Sequence, residues 1–99
     1  MKLTEKEEEN VRQAFRTVRE WKDSWAAFAK ELGINHSTLT HAVCRGGRPT
    51  VVHAFALARA LGITTEEIVG GGAVDEAIIR RYYVLDLKRQ VWEILKAES

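Results

Sequence analysis

Residues 24–44 read SWAAFAKELGINHSTLTHAVC, and this stretch decides the fold. Asp23 and Ser24 are both N-cap candidates for a helix from Trp25 to Leu32, since short polar side chains satisfy the free N–H groups of a first turn. Gly33 is placed to end that helix in a left-handed conformation, which glycine adopts at little cost. Asn35 can cap the next helix, His36 to about Cys44. Two helices crossing steeply over so short a turn need a small side chain where they touch, and Ala29 supplies it. Phe28, Leu32, Ile34, Leu39 and Ala42 fill the apolar positions. The remaining faces of the second helix carry His36, Ser37, Thr38, Thr40 and His41, all able to hydrogen-bond and none negative.

Outward from this pair, helical signals continue in both directions. Thr4-Glu5-Lys6-Glu7 is a capping box, and Val11, Ala14, Phe15, Val18 and Trp21 follow at helical spacing. Arg45-Gly46-Gly47-Arg48-Pro49 is a loop. Thr50 caps an alanine-rich helix that Gly62 ends, and Thr64-Thr65-Glu66-Glu67 starts a short fifth helix with a second capping box. Gly70-Gly71-Gly72 reads as a flexible joint before a long last helix, about Val74 to Lys96. No strand pattern and no internal repeat stand out. The expected class is all-α: a five-helix unit over 1–69, a glycine joint over 70–73 and a C-terminal helix over 74–99. The expected core is Phe15, Val18, Phe28, Leu32, Leu39 and Leu57.

Composition narrows the function classes. The chain has 99 residues, 45% of them hydrophobic and 29% charged, the balance of one globular domain. One cysteine excludes an intrachain disulfide. The longest apolar runs, such as 25–29 and 54–58, fall far short of the about 20 residues of a membrane span. The acidic, polar start, MKLTEKEEEN, has no apolar signal-peptide core. A protein of a reducing cytoplasm, without a membrane partner, is expected. Fifteen Lys+Arg against fourteen Asp+Glu leave a net charge of +1, which by itself gives no support to nucleic-acid binding. The distribution does. Leu32 to Thr65 contains no Asp or Glu, where about five would be expected at the average frequency. It holds Arg45, Arg48, Arg59 and all three histidines, as a surface facing phosphate would.

The segment from Ser24 to Val69, about half the chain, resembles the Cro/repressor-type (XRE-like) helix-turn-helix family. Four pieces carry the likeness: Phe28-Ala29, Leu32-Gly33-Ile34, Arg48-Pro49-Thr50 and Leu57-Ala58-Arg59-Ala60-Leu61-Gly62-Ile63. The resemblance implies a five-helix repressor-like domain that binds double-stranded DNA sequence-specifically, as a homodimer, in transcription control. It implies that the helix from His36 lies in the major groove, with His36, Ser37 and His41 at base-reading positions and Thr38 and Thr40 beside them. Ser24, Trp25 and Asn35 would meet phosphates. Tryptophan stands at 25 where the family often has glutamine, and Val43-Cys44-Arg45 replaces a common Glu-Asn-Gly or Glu-Arg-Gly, which can shift the turn onto Gly46. Arg45 and Arg48 follow the recognition helix and are expected at phosphates, where contacts position a protein without reading sequence.

Other chemistry is weakly represented. His41 and Cys44 share a helix face, but two ligands make a poor zinc site, and Cys44 is expected buried or half-buried. No catalytic motif and no phosphate-cradling loop is found, so neither an enzyme nor a cofactor is expected. The last helix has two apolar stripes, Val74, Ile78, Leu85 and Trp92 on one side and Ile79, Tyr83, Leu87 and Ile94 on the other. A helix apolar on both sides needs two partners. One is its own domain. Tyr83, Leu87, Trp92 and Ile94 are the expected dimerisation residues. The alternative is an antitoxin-like or other module whose last helix holds a different protein.

Overall fold

Short polar side chains cap the helices where the backbone lacks partners. The computed structural model describes residues 2–72 and 74–98, and the side chains of all of these except 82–85 and 98. Helix α1 (Glu5–Arg19) starts with a full capping box: Glu7 N donates to Thr4 Oγ1 at 3.2 Å, and Thr4 N to Glu7 Oε1 at 2.9 Å. Ser24, not Asp23, caps α2 (Trp25–Leu32), and Asn35 caps α3 (His36–Cys44). Thr50 and Thr64 cap α4 (Val51–Leu61) and α5 (Thr65–Gly70). The box expected at Thr64 is half formed, because the Thr64 hydroxyl itself donates to Glu67 Oε1 at 3.2 Å. A box the sequence did not suggest forms at Thr50, whose N–H donates to His53 Nδ1 at 3.0 Å. Beyond α5, α6 (Val74–Ile78) runs through a π-helical turn, Ile79–Tyr83, into α7 (Val84–Glu98). The fold is all-α, with no strand and no helix long and apolar enough to cross a membrane among the described residues.

Helix α1 is the central element, packed against α3, α4, α5 and α6. Its apolar face, Val11, Ala14, Phe15 and Val18, is buried. The Phe15 and Phe28 rings meet at 5.8 Å between centroids. Leu39, Leu57 and Ile68 are fully buried with them, and full burial of such a side chain stabilises by about 1.5–3 kcal/mol. The expected core is found, except that Leu32 is only half-buried at its edge.

The junction at Gly70–Gly72 is tied down. Gly70 is the last residue of α5. The N–H groups of Gly71 and Gly72 bond to Ile68 O and Glu67 O, each at 3.2 Å, a Schellman cap. Asn10 Nδ2 donates to Val69 O at 2.8 Å, fixing the same helix end to α1. The core then continues past the glycines: Ala77 and Ile78 are 2% and 3% exposed and belong to the main cluster.

The π turn changes the phase of the last helix, since it holds more residues per turn than an α-helix. Val74 and Ile78 face the body, whereas Trp92, assigned to the same stripe, is 66% exposed. Ile79 of the opposite stripe is also exposed, and the side chains of Leu85 and Tyr83 lie outside the described residues. Residues 87–97 are all exposed. Helix α7 therefore projects from the body, and the chain spans 55 × 26 × 17 Å. Its radius of gyration is 15.2 Å, against about 13 Å for a compact 100-residue domain.

Neighbouring residues test this layout. Ile78→Ala should cost about 2–5 kcal/mol in urea unfolding, the range for a buried aliphatic truncation. Ile79→Ala should stay within about 0.5 kcal/mol of the parent. Equal effects would contradict the placement of the last helix on the body.

Candidate nucleic-acid interface

The reversal between α2 and α3 is built by three residues. Gly33 has φ +72°, its N–H bonds to Lys30 O at 3.2 Å, and Ile34 N bonds to Ala29 O at 2.9 Å. These are the two bonds of a Schellman motif, which close the carbonyls at the end of α2. Asn35 then accepts from Thr38 N at 3.2 Å and starts α3. Ala29, at 2% exposure, lies where the helices meet. Leu39, Ala42 and Val43 are buried, so the rest of α3 turns outward.

His36, Ser37, Thr38 and His41 are exposed on that outer surface. Thr40 is half-buried, and its hydroxyl donates to His36 O at 3.0 Å and Ser37 O at 3.3 Å. Its hydroxyl proton is thus engaged by the helix backbone, and its lone pairs remain as acceptors. Cys44 is exposed, contrary to the burial expected for it, because the C-terminal turn of α3 buries Val43 instead.

Ser37, Thr38, His41, Arg45 and Arg48 line one shallow concavity together with His53 of α4. Among the described residues, no carboxylate lines it. Arg45 is exposed, and the Arg48 side chain is 62% exposed with its Nε 3.8 Å from buried Glu8. His36 and the expected phosphate-contacting residues Ser24, Trp25 and Asn35 lie outside this concavity. Ser24 Oγ accepts from Ala27 N at 3.0 Å, as Asn35 Oδ1 does from Thr38 N. Each cap engages its side chain as acceptor and leaves it a donor: the Ser24 O–H and the Asn35 Nδ2. Trp25 is half-buried, stacked on Phe28 at 6.1 Å with the Arg19 guanidinium 5.8 Å over its ring. That packing role accounts for an aromatic residue at this position.

Two arginines of α1 hold this surface, and sequence reading missed both. Arg16 Nη2 donates to Val43 O at 3.0 Å, and Arg12 Nη2 donates to Gly47 O at 3.0 Å. They place positive charge on carbonyls at and just beyond the C-terminal end of α3, where the helix dipole is negative. Glu9 pairs with Arg12 at 3.3 Å and Arg16 at 3.8 Å. A hydrogen bond from Gln13 first, then the two arginines, holds its carboxyl below the usual range. In sequence these arginines read only as the polar face of α1; their reach across 27 and 35 positions leaves no local signal.

The loop after α3 turns at Gly46, φ +80°, as the departure at residues 43–45 suggested. Gly47 lies directly against His41. A β-carbon there would stand 2.5 Å from His41 Cδ2 and 2.8 Å from His41 O, so only glycine fits beside this histidine.

Comparison with protein-family models, curated proteins and solved structures returned no match.

Burial pushes the His53 pKa below its ordinary value, and its Nδ1 must be unprotonated to accept from Thr50 N. A depressed histidine pKa contributes stability that is present above the unfolded value and lost as pH falls through the folded one. Urea unfolding should therefore show the protein losing more stability below about pH 6.5 than His53→Gln does. Parallel pH profiles would remove His53 from the account.

Proposed function

We propose that this protein is a DNA-binding transcriptional regulator of the Cro/repressor type, acting in the cytoplasm as a homodimer. The observation that carries the reading is the outer face of α3: His36, Ser37, Thr38 and His41 are exposed on an acid-free segment, and Arg45 and Arg48 share one concavity with Ser37, Thr38 and His41. A helix of this kind fits the major groove, where side-chain donors and acceptors meet base edges. Neutral imidazole both donates and accepts, whereas the protonated ring only donates and favours guanine acceptors or phosphate. Arg45, Arg48 and the donors of Ser24 and Asn35 serve the phosphates flanking the groove. The role is binding, and no reaction is assigned to it.

The dimer follows from the mode of binding. Two recognition helices entering successive major grooves sit about 34 Å apart, and one such chain has one α3. Leu87, Trp92 and Ile94, 43%, 66% and 59% exposed, supply apolar surface for a subunit contact. That same surface supports a second reading, an antitoxin-like module whose α7 holds a different protein.

Salt separates DNA binding from a purely protein-binding role. On DNA, log affinity should fall steeply with log salt. His41→Ala should weaken binding to a selected site by about 1–3 kcal/mol and change binding to random duplex much less. The double variant Arg45→Ala/Arg48→Ala should weaken binding to every duplex and flatten the salt slope by about one unit for each phosphate that is no longer neutralised. Salt-independent or absent duplex binding contradicts the DNA reading and leaves the protein-binding one.

A further inference from the structure

Two unpartnered apolar surfaces lie on this chain, and they match. The first is a concavity of about 620 Å³ between α4 and α5, floored by Val51, Val52, Phe55 and Val69 and rimmed by Glu7 and Glu66. Val52 and Phe55 are 72% and 57% exposed, more than large apolar side chains sustain without a reason when they cluster. Among the described residues, no cation lines the concavity. The second is the face of α7 formed by Leu87, Val91, Trp92 and Leu95, with Lys88 as its charged member. Lys88 faces solvent, whereas its neighbour Arg89 is paired with Asp86 at 3.4 Å. One surface is an apolar hollow with Glu7 and Glu66 on one side, its Val52 and Phe55 adjoining Lys30, Arg59 and Arg81 on the other, and the second is an apolar helix face carrying a cation.

We infer that α7 of one subunit docks in the α4–α5 groove of a second copy of this chain, and that the exchange is reciprocal. The inference rests on the dimer of the proposed function and specifies its interface. Continuous helix from Val74 and the burial of Ala77 and Ile78 root this element on its own body. Its 15 residues then extend about 22 Å outward, with residues 87–97 exposed. None of residues 87–97 lines the chain's own groove, so they are free to enter a neighbour's. A two-fold axis makes the contact twice, moving the buried surface toward the about 1,600 Å² of a stable interface. It also covers both apolar surfaces, where pairing α7 with α7 would leave Val52 and Phe55 in water. Glu7 and Glu66 then stand near the Lys88 of the second copy.

Sedimentation of the full-length protein without DNA tests this. Phe55→Glu and Val91→Glu alter exposed side chains, and retained helical circular dichroism checks each fold. Each variant alone should be monomeric at concentrations where the parent is dimeric. An equimolar mixture should associate measurably more than either variant alone, because one of the two contacts, an intact helix in an intact groove, remains. Charge reversal gives a gentler probe: Glu66→Lys or Lys88→Glu should each weaken the dimer about two- to fivefold, and the double variant should recover. A monomeric parent, a dimeric Phe55→Glu variant, a mixture that stays monomeric or a double variant weaker than either single one would overturn the inference. Loss of salt-dependent duplex binding would overturn the DNA reading and leave this interface standing.

Discussion

The left-handed turn at Gly33 is the constraint on which the outward face of α3 depends. With φ +72° and two backbone bonds into the last turn of α2, it fixes where α3 begins and how it rotates about its axis. That rotation sends Leu39, Ala42 and Val43 inward and His36, Ser37 and His41 outward. Ala29 allows the close approach at the crossing. A side chain with a β-carbon at 33 would meet no steric neighbour within 4 Å. The requirement for glycine there lies in the backbone conformation, at roughly 1–2 kcal/mol for other residues.

Helix α1 does more than fill the core. Its apolar face holds Phe15 against Phe28, and its polar face sends Arg12 and Arg16 to the carbonyls of Gly47 and Val43. The start of α3 is thus set by the turn and Asn35, and its end by α1. Gly47 closes the same end against His41. A surface fixed at both ends loses little conformational freedom when it meets a rigid partner, which favours affinity. In contrast, α7 stays exposed over residues 87–97.

Local chemistry made much of this fold legible. Caps at Thr4, Ser24, Asn35, Thr50 and Thr64, and the turns at Gly33 and Gly62, were readable because each depends on residues within a few positions. Three features were not. The glycine run at 70–72 looked like a loose joint because composition cannot show a Schellman cap or the bond from Asn10 to Val69, 59 positions apart. The π turn at Ile79–Tyr83 changed the phase of the last helix and split the stripe from Val74 to Trp92, which a uniform helical period cannot reveal. The concavity that joins His53 of α4 to His41, Arg45 and Arg48 draws on two helices and the loop between them. An acid-free run containing all three histidines was its only sequence trace.

If α3 reads base edges from a two-fold symmetric pair, selection of bound duplexes from a random-sequence pool should enrich an inverted repeat whose half-sites lie about one helical turn apart, centre to centre. Recovery of no consensus above the starting pool would contradict it.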